Sequence, residues 1–138
     1  MTAIRRGGAS DLAEIAAIQT ASPEAAQWKV ADFAGFDLWV AVCENRVAGF
    51  LAARSLGDGE CELLNLAVSP QFRRRGIARR LVEALAGAFR GNIFLEVRES
   101  NLAARNLYKS MEFKEIGTRP GYYDAPPEAA IVMKFHSC

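Results

Sequence analysis

A chain of 138 residues that is 51% hydrophobic and 24% charged has the length and balance of one globular domain, with no room for a second. Its formal net charge of +1 argues against a general nucleic-acid binder. The three cysteines (Cys43, Cys61, Cys138) and the single histidine, His136, form no Cys-x-x-Cys pair or zinc pattern, so neither a metal site nor a disulfide framework is expected.

Without an apolar leader or a long apolar run, a soluble cytoplasmic protein without membrane contact is the expectation, as a monomer or weak dimer. Residues 2–6 read as a short edge strand. Ser10-Asp11 offers a helix cap, followed by an apolar stripe of Leu12, Ile15 and Ala16. Ser22-Pro23-Glu24 reads as the start of a second, short helix carrying Trp28. Strands are expected over 38–42 and 47–54 around an Glu44-Asn45-Arg46 turn. A strand over 62–68 follows the turn Gly57-Asp58-Gly59, with Leu64, Leu66 and Val68 on one face, and ends at Ser69-Pro70. Ile77, Ala78, Leu81, Val82, Leu85 and Phe89 recur at helical spacing. The strand expected over 92–98 alternates: Ile93, Leu95 and Val97 on one face, Phe94, Glu96 and Arg98 on the other. Ser100-Asn101 can cap a helix carrying Ala104, Leu107, Tyr108 and Met111. Strands over 113–117 and 130–135 close the chain around a loop rich in Pro, Gly and Tyr. The order βααβββαβαββ predicts a mixed α/β (α+β) domain over residues 1–138.

Five arginines crowd the stretch from Arg73 to Arg80, at the expected start of a helix. Basic side chains there oppose the helix dipole, whereas an anion would be held by the free first-turn N–H groups. Gly76 and the small Ala78 permit close backbone approach, and the flanking guanidinium groups add charge and bidentate hydrogen bonds. These features point to a phosphate site. The dinucleotide glycine motif and the nucleotide P-loop are both absent.

The turn Arg73-Arg74-Arg75-Gly76-Ile77-Ala78 after Leu66-Ala67-Val68-Ser69-Pro70 resembles the acetyl-CoA signature of the GCN5-related N-acetyltransferase (GNAT) superfamily, with Ala78 where glycine is more usual. The run from Leu95-Glu96-Val97-Arg98 through Ser100-Asn101 to Leu107-Tyr108 resembles the ribosomal-protein alanine N-acetyltransferase subfamily. So do Gln27-Trp28, Arg119-Pro120-Gly121-Tyr122-Tyr123 and Ala130-Ile131-Val132-Met133. Glu112 stands where a glycine before Phe113 is usual.

The resemblance implies a GNAT fold, a mostly antiparallel sheet flanked by helices, and acetyl-CoA as cosubstrate. It places the CoA pyrophosphate on Arg73, Arg74, Arg75, Gly76, Ile77, Ala78 and Arg79. The backbone of Leu66, Ala67 and Val68 would hold the pantetheine, with the Val68 amide as oxyanion donor, and Asn101 would touch CoA. It makes Glu96 the general base and Tyr108 the general acid. Pattern alone reads Glu96 as a solvated strand-end acid and Tyr108 as an amphipathic core residue. Trp28, Tyr122 and Tyr123 are candidates to shape an acceptor groove, and Asp124 and Glu128 to hold a cationic terminus. The implied reaction is acetylation of a protein's N-terminal α-amine, a ribosomal protein in the first place. A small amine or lysine side chain, a non-catalytic CoA-binding regulatory module and a phosphate or RNA-backbone binder are the alternatives.

Overall fold

The computed structural model describes residues 2–23, 28–33, 35–124 and 127–137. Seven strands hydrogen-bond in the order β1-β2-β3-β4-β5-β7-β6. They are β1 (Thr2–Arg6), β2 (Asp37–Cys43), β3 (Arg46–Gly57), β4 (Glu60–Val68), β5 (Gly91–Arg98), β6 (Lys114–Asp124) and β7 (Pro127–Ser137). The helices are α1 (Leu12–Thr20), α2 (Ile77–Ala88) and α3 (Leu102–Ser110), with short 3-10 turns at Ala9–Asp11, Val30–Phe33 and Pro70–Phe72. The sheet is mixed: β4 and β5 run parallel, while β1–β2, β2–β3, β5–β7 and β6–β7 are antiparallel. The chain divides into two compact units, Met1–Arg54 with Leu63–Ala88, and Ser55–Glu62 with Phe89–Cys138.

In the first unit, β3 is apolar and buried without interruption from Val47 to Ala53, as suits a strand covered on both faces. Ile15 and Ile18 of α1 pack with Phe33, Leu38, Val40, Val47, Phe50, Ala52 and Ala67, and Trp28 lies against this cluster. Each of the larger side chains, the alanines aside, contributes about 1.5–3 kcal/mol on burial. α2 buries Ile77, Leu81, Val82 and Leu85, the face its periodicity foretold. Asp11 does not cap forward into α1. Its carboxylate instead accepts from the Gly8 amide (2.8 Å) and takes a two-pronged ion pair from Arg5 (2.9 Å each). Of the expected second helix, residues 24–27 lie outside the described residues, Gln27 among them; Ser22, Pro23 and Trp28 are not helical, and the 3-10 turn Val30–Phe33 follows.

On β4 the expected apolar face is half-buried. The fully buried side chains are Cys61, Leu63, Asn65 and Ala67, one of them polar. Asn65 is accommodated by donating to the buried Gln19 carboxamide at 3.2 Å.

In the second unit, β5 alternates as expected, with Ile93, Leu95 and Val97 buried. Asn101 caps α3 by accepting from the Ala104 amide at 3.2 Å. Tyr108 of α3 packs on Phe113, which stacks on Phe135 of β7. Gly91, at φ +135°, admits no side chain, since a Cβ there would lie 2.2 Å from the Gly59 carbonyl oxygen.

The Pro-, Gly- and Tyr-rich loop expected between the last two strands is instead strand. β6 runs to Asp124 and β7 begins at Pro127. Pairing passes from Arg119↔Ala130 to Tyr123↔Glu128, so four steps on β6 oppose two on β7. Pro120, Gly121 (φ +63°) and Tyr122 therefore form a bulge within the strand. β6 is an edge strand, where a missing N–H and an unpaired residue cost least.

Candidate active site

The arginine turn joins the end of β4 to α2. A bulge on β3 sets it up: Ala41 pairs with Gly49 and Val42 with Val47, leaving Ala48 as the extra residue. The Ala48 carbonyl is free to accept the Ser69 amide at 2.7 Å, which fixes where the chain leaves β4. Gly49 lets this happen at close range, because a Cβ there would meet the Ala67 carbonyl at 3.0 Å and Ile77 Cγ2 at 3.2 Å. Neither Ala48 nor Gly49 carries a sequence signal beyond being small.

Within the turn, Arg74 and Gly76 have left-handed backbone (φ +65° and +72°) on either side of Arg75. Alternation of this kind turns successive N–H groups toward one concavity, an anion nest. The first bond of α2 runs from the Arg80 amide to the Gly76 carbonyl, so the amides before Arg80 are first-turn donors.

The arginines are not equivalent. Arg73 donates to the Val68 carbonyl (3.1 Å) and to the buried Ser22 hydroxyl (3.2 Å). Arg75 lies over Phe72 and reaches Cys43 Sγ at 3.8 Å, and Arg80 donates to the Thr2 carbonyl. Arg74 is exposed on the turn, and Arg79 is half-buried one residue after Ala78. The turn is thus braced by three of its guanidinium groups, and its backbone is what suits an oligophosphate. Leu66, Ala67 and Val68 form the last residues of β4 immediately before it.

In the second unit, register places Phe94, Glu96 and Arg98 on the same face as Val132, Ala130 and Glu128 of β7 and as Gly117, Arg119 and Tyr123 of β6. Glu96 lies directly across from Val132. Its side chain is 15% exposed, and its Oε2 is buried without a hydrogen-bond partner. Arg119 Nε lies 3.3 Å from that oxygen, an ion-pair distance without the alignment of a hydrogen bond. Burial raises the Glu96 carboxyl above its ordinary value, Arg119 opposes this and Glu62 adds to it; burial prevails.

Tyr108 is buried, and desolvation, helped by Tyr123, holds its phenol far above the ordinary value. It is a neutral proton donor at any physiological pH.

Of the aromatic candidates, Tyr123 is within electrostatic reach of both Glu96 and Tyr108. The Arg119 guanidinium sits 5.1 Å from the Tyr122 ring, and Tyr122 meets Tyr123 edge-on. Arg98 covers Tyr123 at 4.2 Å. Burial is also the main cause of a raised Tyr123 phenol. Glu128 is already engaged by Arg98 and by Ser100, whose side-chain hydrogen bond first and backbone amide second lower its carboxyl. Asp124 is exposed at the hairpin tip. Trp28 belongs to the first unit, tilted against Phe33 and Phe36. In the sequence Arg119 belongs only to a motif; its approach to Glu96 follows from pairing across β7, which the sequence does not announce.

The seven-stranded mixed sheet, with its glycine-bearing arginine turn between β4 and α2, is a fold shared with acetyltransferases of known structure. Residues 10–113 match the model of the acetyltransferase (GNAT) family. Over 100 residues the chain is 35% identical to the [ribosomal protein bS18]-alanine N-acetyltransferase of Haemophilus ducreyi, covering 67% of this chain and 68% of that protein. An uncharacterised protein of Mycobacterium leprae is 46% identical over 76 residues, 54% of this chain, which spans only 21% of that protein's length. Among solved structures, the ribosomal-protein-S18-alanine N-acetyltransferase of Escherichia coli superposes with a TM-score of 0.87 at 28% identity, over 99% of this chain and 94% of that one. The chain belongs to the GNAT family of acetyltransferases.

Proposed function

We propose that this protein transfers the acetyl group of acetyl-CoA to the N-terminal α-amine of a protein, with Glu96 as base and Tyr108 as acid. The observation that carries the reading is Glu96: a largely buried carboxylate whose Oε2 has no hydrogen bond to answer it. An unpaired buried acceptor is costly unless a ligand supplies the donor.

The pyrophosphate fits the turn from Arg73 to Ala78. Arg74, Gly76, Ile77 and Ala78 offer backbone and charge, Arg79 adds a guanidinium, and Arg73 and Arg75 hold the shape. Leu66, Ala67 and Val68 give backbone contacts to the pantetheine arm, and Asn101 adds a contact to CoA.

The acceptor arrives as an ammonium and loses a proton to Glu96. Its freed lone pair forms the C–N bond at the thioester carbonyl, whose oxygen becomes an oxyanion stabilised by the Val68 amide. Collapse breaks the C–S bond, the departing thiolate takes the Tyr108 proton, and the second proton shed by the acylated nitrogen restores the Tyr108 phenol by way of solvent. Tyr122 and Tyr123 are the candidates to line the acceptor's path in the second unit, and Trp28 is the candidate in the first.

What supports a protein terminus, and a ribosomal protein among such acceptors, is the likeness to enzymes named for the alanine of S18. The test is intact-mass analysis of ribosomal proteins and of peptides with free or blocked N-termini, incubated with enzyme and acetyl-CoA. One added acetyl on a free N-terminus is the expected result. Labelling confined to lysine side chains or to small amines overturns the acceptor assignment, and acetyl-CoA binding without turnover overturns catalysis.

A further inference from the structure

The approach of Arg119 to Glu96 resembles a bound substrate more than a structural ion pair. Two arginine–carboxylate pairs elsewhere among the described residues are hydrogen-bonded: Arg5 with Asp11 through two 2.9 Å contacts, and Arg105 with Glu115 at 2.9 and 3.2 Å. Arg119 lies 3.3 Å from Glu96 Oε2 without making a hydrogen bond, and its side chain is 59% exposed. It is held from the other side by the face of Tyr122, itself 47% exposed on the Pro120–Gly121 bulge. The row containing Glu96 reads Glu96, Val132, Gly117 across the three strands, and the space above Gly117 is open. A cation thus rests beside a buried carboxylate through charge alone, on an open row, with an aromatic face beside it.

We propose that Arg119 is a positioning residue for Glu96: it occupies the cation side of the carboxylate in the resting enzyme, keeps it ionised, and is displaced by the acceptor's ammonium. The inference rests on the reading of Glu96 as base. The charges facing Glu96 are Glu62 from β4, Arg119 from β6 and the Tyr123 phenol, with Arg98 further along β5; Val132, directly opposite, is apolar. Arg119 is the one cation among those that act on the Glu96 carboxyl, and it opposes both burial and Glu62. A pair without a hydrogen bond exchanges partners at low cost, whereas the incoming ammonium brings N–H groups that fit the unanswered Oε2.

The test compares parent, Arg119→Gln, Arg119→Lys and Glu96→Gln enzymes across pH, with saturating acetyl-CoA and a peptide bearing a free N-terminal alanine. In Arg119→Gln the acid limb of kcat/KM moves up by about one pH unit, because an opposite charge has been removed from beside a carboxylate. On the alkaline plateau the peptide KM falls about threefold, since no resident cation competes. Arg119→Lys keeps most of the parent limb. A ¹³C carboxyl titration of Glu96 in the free protein moves in the same direction as the limb. An unmoved limb and titration in Arg119→Gln, or a raised peptide KM, overturns the proposal, the second because it would make Arg119 an acceptor ligand. The base reading fails separately, if Glu96→Gln turns over like the parent.

Discussion

Replacing Gly76 by alanine separates the stability of the arginine turn from its use. Gly76 sits at φ +72°, where a side-chain-bearing residue pays about 1–2 kcal/mol. A Cβ added there meets no protein atom within 4 Å, so no steric term adds to the backbone cost. The free protein should lose roughly 1–2 kcal/mol, a fall in Tm of about 4–8 °C for a domain of this size. Binding should suffer more. Either the new methyl stands against the oligophosphate, or the turn relaxes toward ordinary φ and rotates a first-turn amide away. Losing one hydrogen bond to a charged group costs about 1.5–3 kcal/mol, or between tenfold and about a hundredfold in Kd. Calorimetric titration with acetyl-CoA measures the second effect, and thermal unfolding without ligand measures the first. Arg74→Gly is the control: it removes left-handed strain at φ +65°, so the free protein should gain stability while the nest keeps its shape. A Gly76→Ala protein that has lost Tm yet binds acetyl-CoA within twofold of the parent would refute the nest as the pyrophosphate site.

Other outcomes follow from the second unit. Glu96→Gln should lower kcat/KM by about 10²–10⁴-fold in steady-state assays, the span of a positioned base. Because burial raises the Glu96 carboxyl in the folded state, its stabilising contribution is present in acid and lost as pH rises through the folded value. Glu96→Gln should therefore unfold at higher denaturant than the parent at neutral pH, with the advantage vanishing below about pH 4. Tyr108→Phe preserves the packing on Phe113 and should change stability by less than about 1.5 kcal/mol. Its turnover should drop by about 10²-fold or more, and equal losses in both would mean that the phenol is structural. Gly91→Ala forces backbone apart at the Gly59 carbonyl; chemical denaturation should show a loss above about 3 kcal/mol, and a neutral result would contradict the close approach.

How much of this was readable beforehand depended on the range of the cause. The alternation of β5 is local, so the face bearing Glu96 was fixed by residues 92–98 alone. The Asn101 cap and the glycine turn are equally local. The β6–β7 hairpin extends further than its residue types suggest, because Pro120 and Gly121 signal a turn wherever they stand, while an edge strand tolerates both as a bulge. Leu64, Leu66 and Val68 looked like the deeper face of β4, but burial there is decided by neighbours, and Asn65 goes inside because Gln19 meets it. Arg119 and Glu96 are brought together only by two strand pairings and their register, none of which hydropathy encodes.

The bulge at residues 120–122 has an evolutionary corollary. Ladder pairing is complete on both sides of it, at Arg119 with Ala130 and at Tyr123 with Glu128, so the residues between are released from the sheet's alternation. Substitutions or length changes there re-aim Tyr122 without altering the registration of Glu96, Arg119 and Tyr123. On the proposed reading of Tyr122 as an acceptor contact and Glu96 as base, one lineage could exchange one acceptor for another by editing three positions on a rim, with the base beneath inherited unchanged.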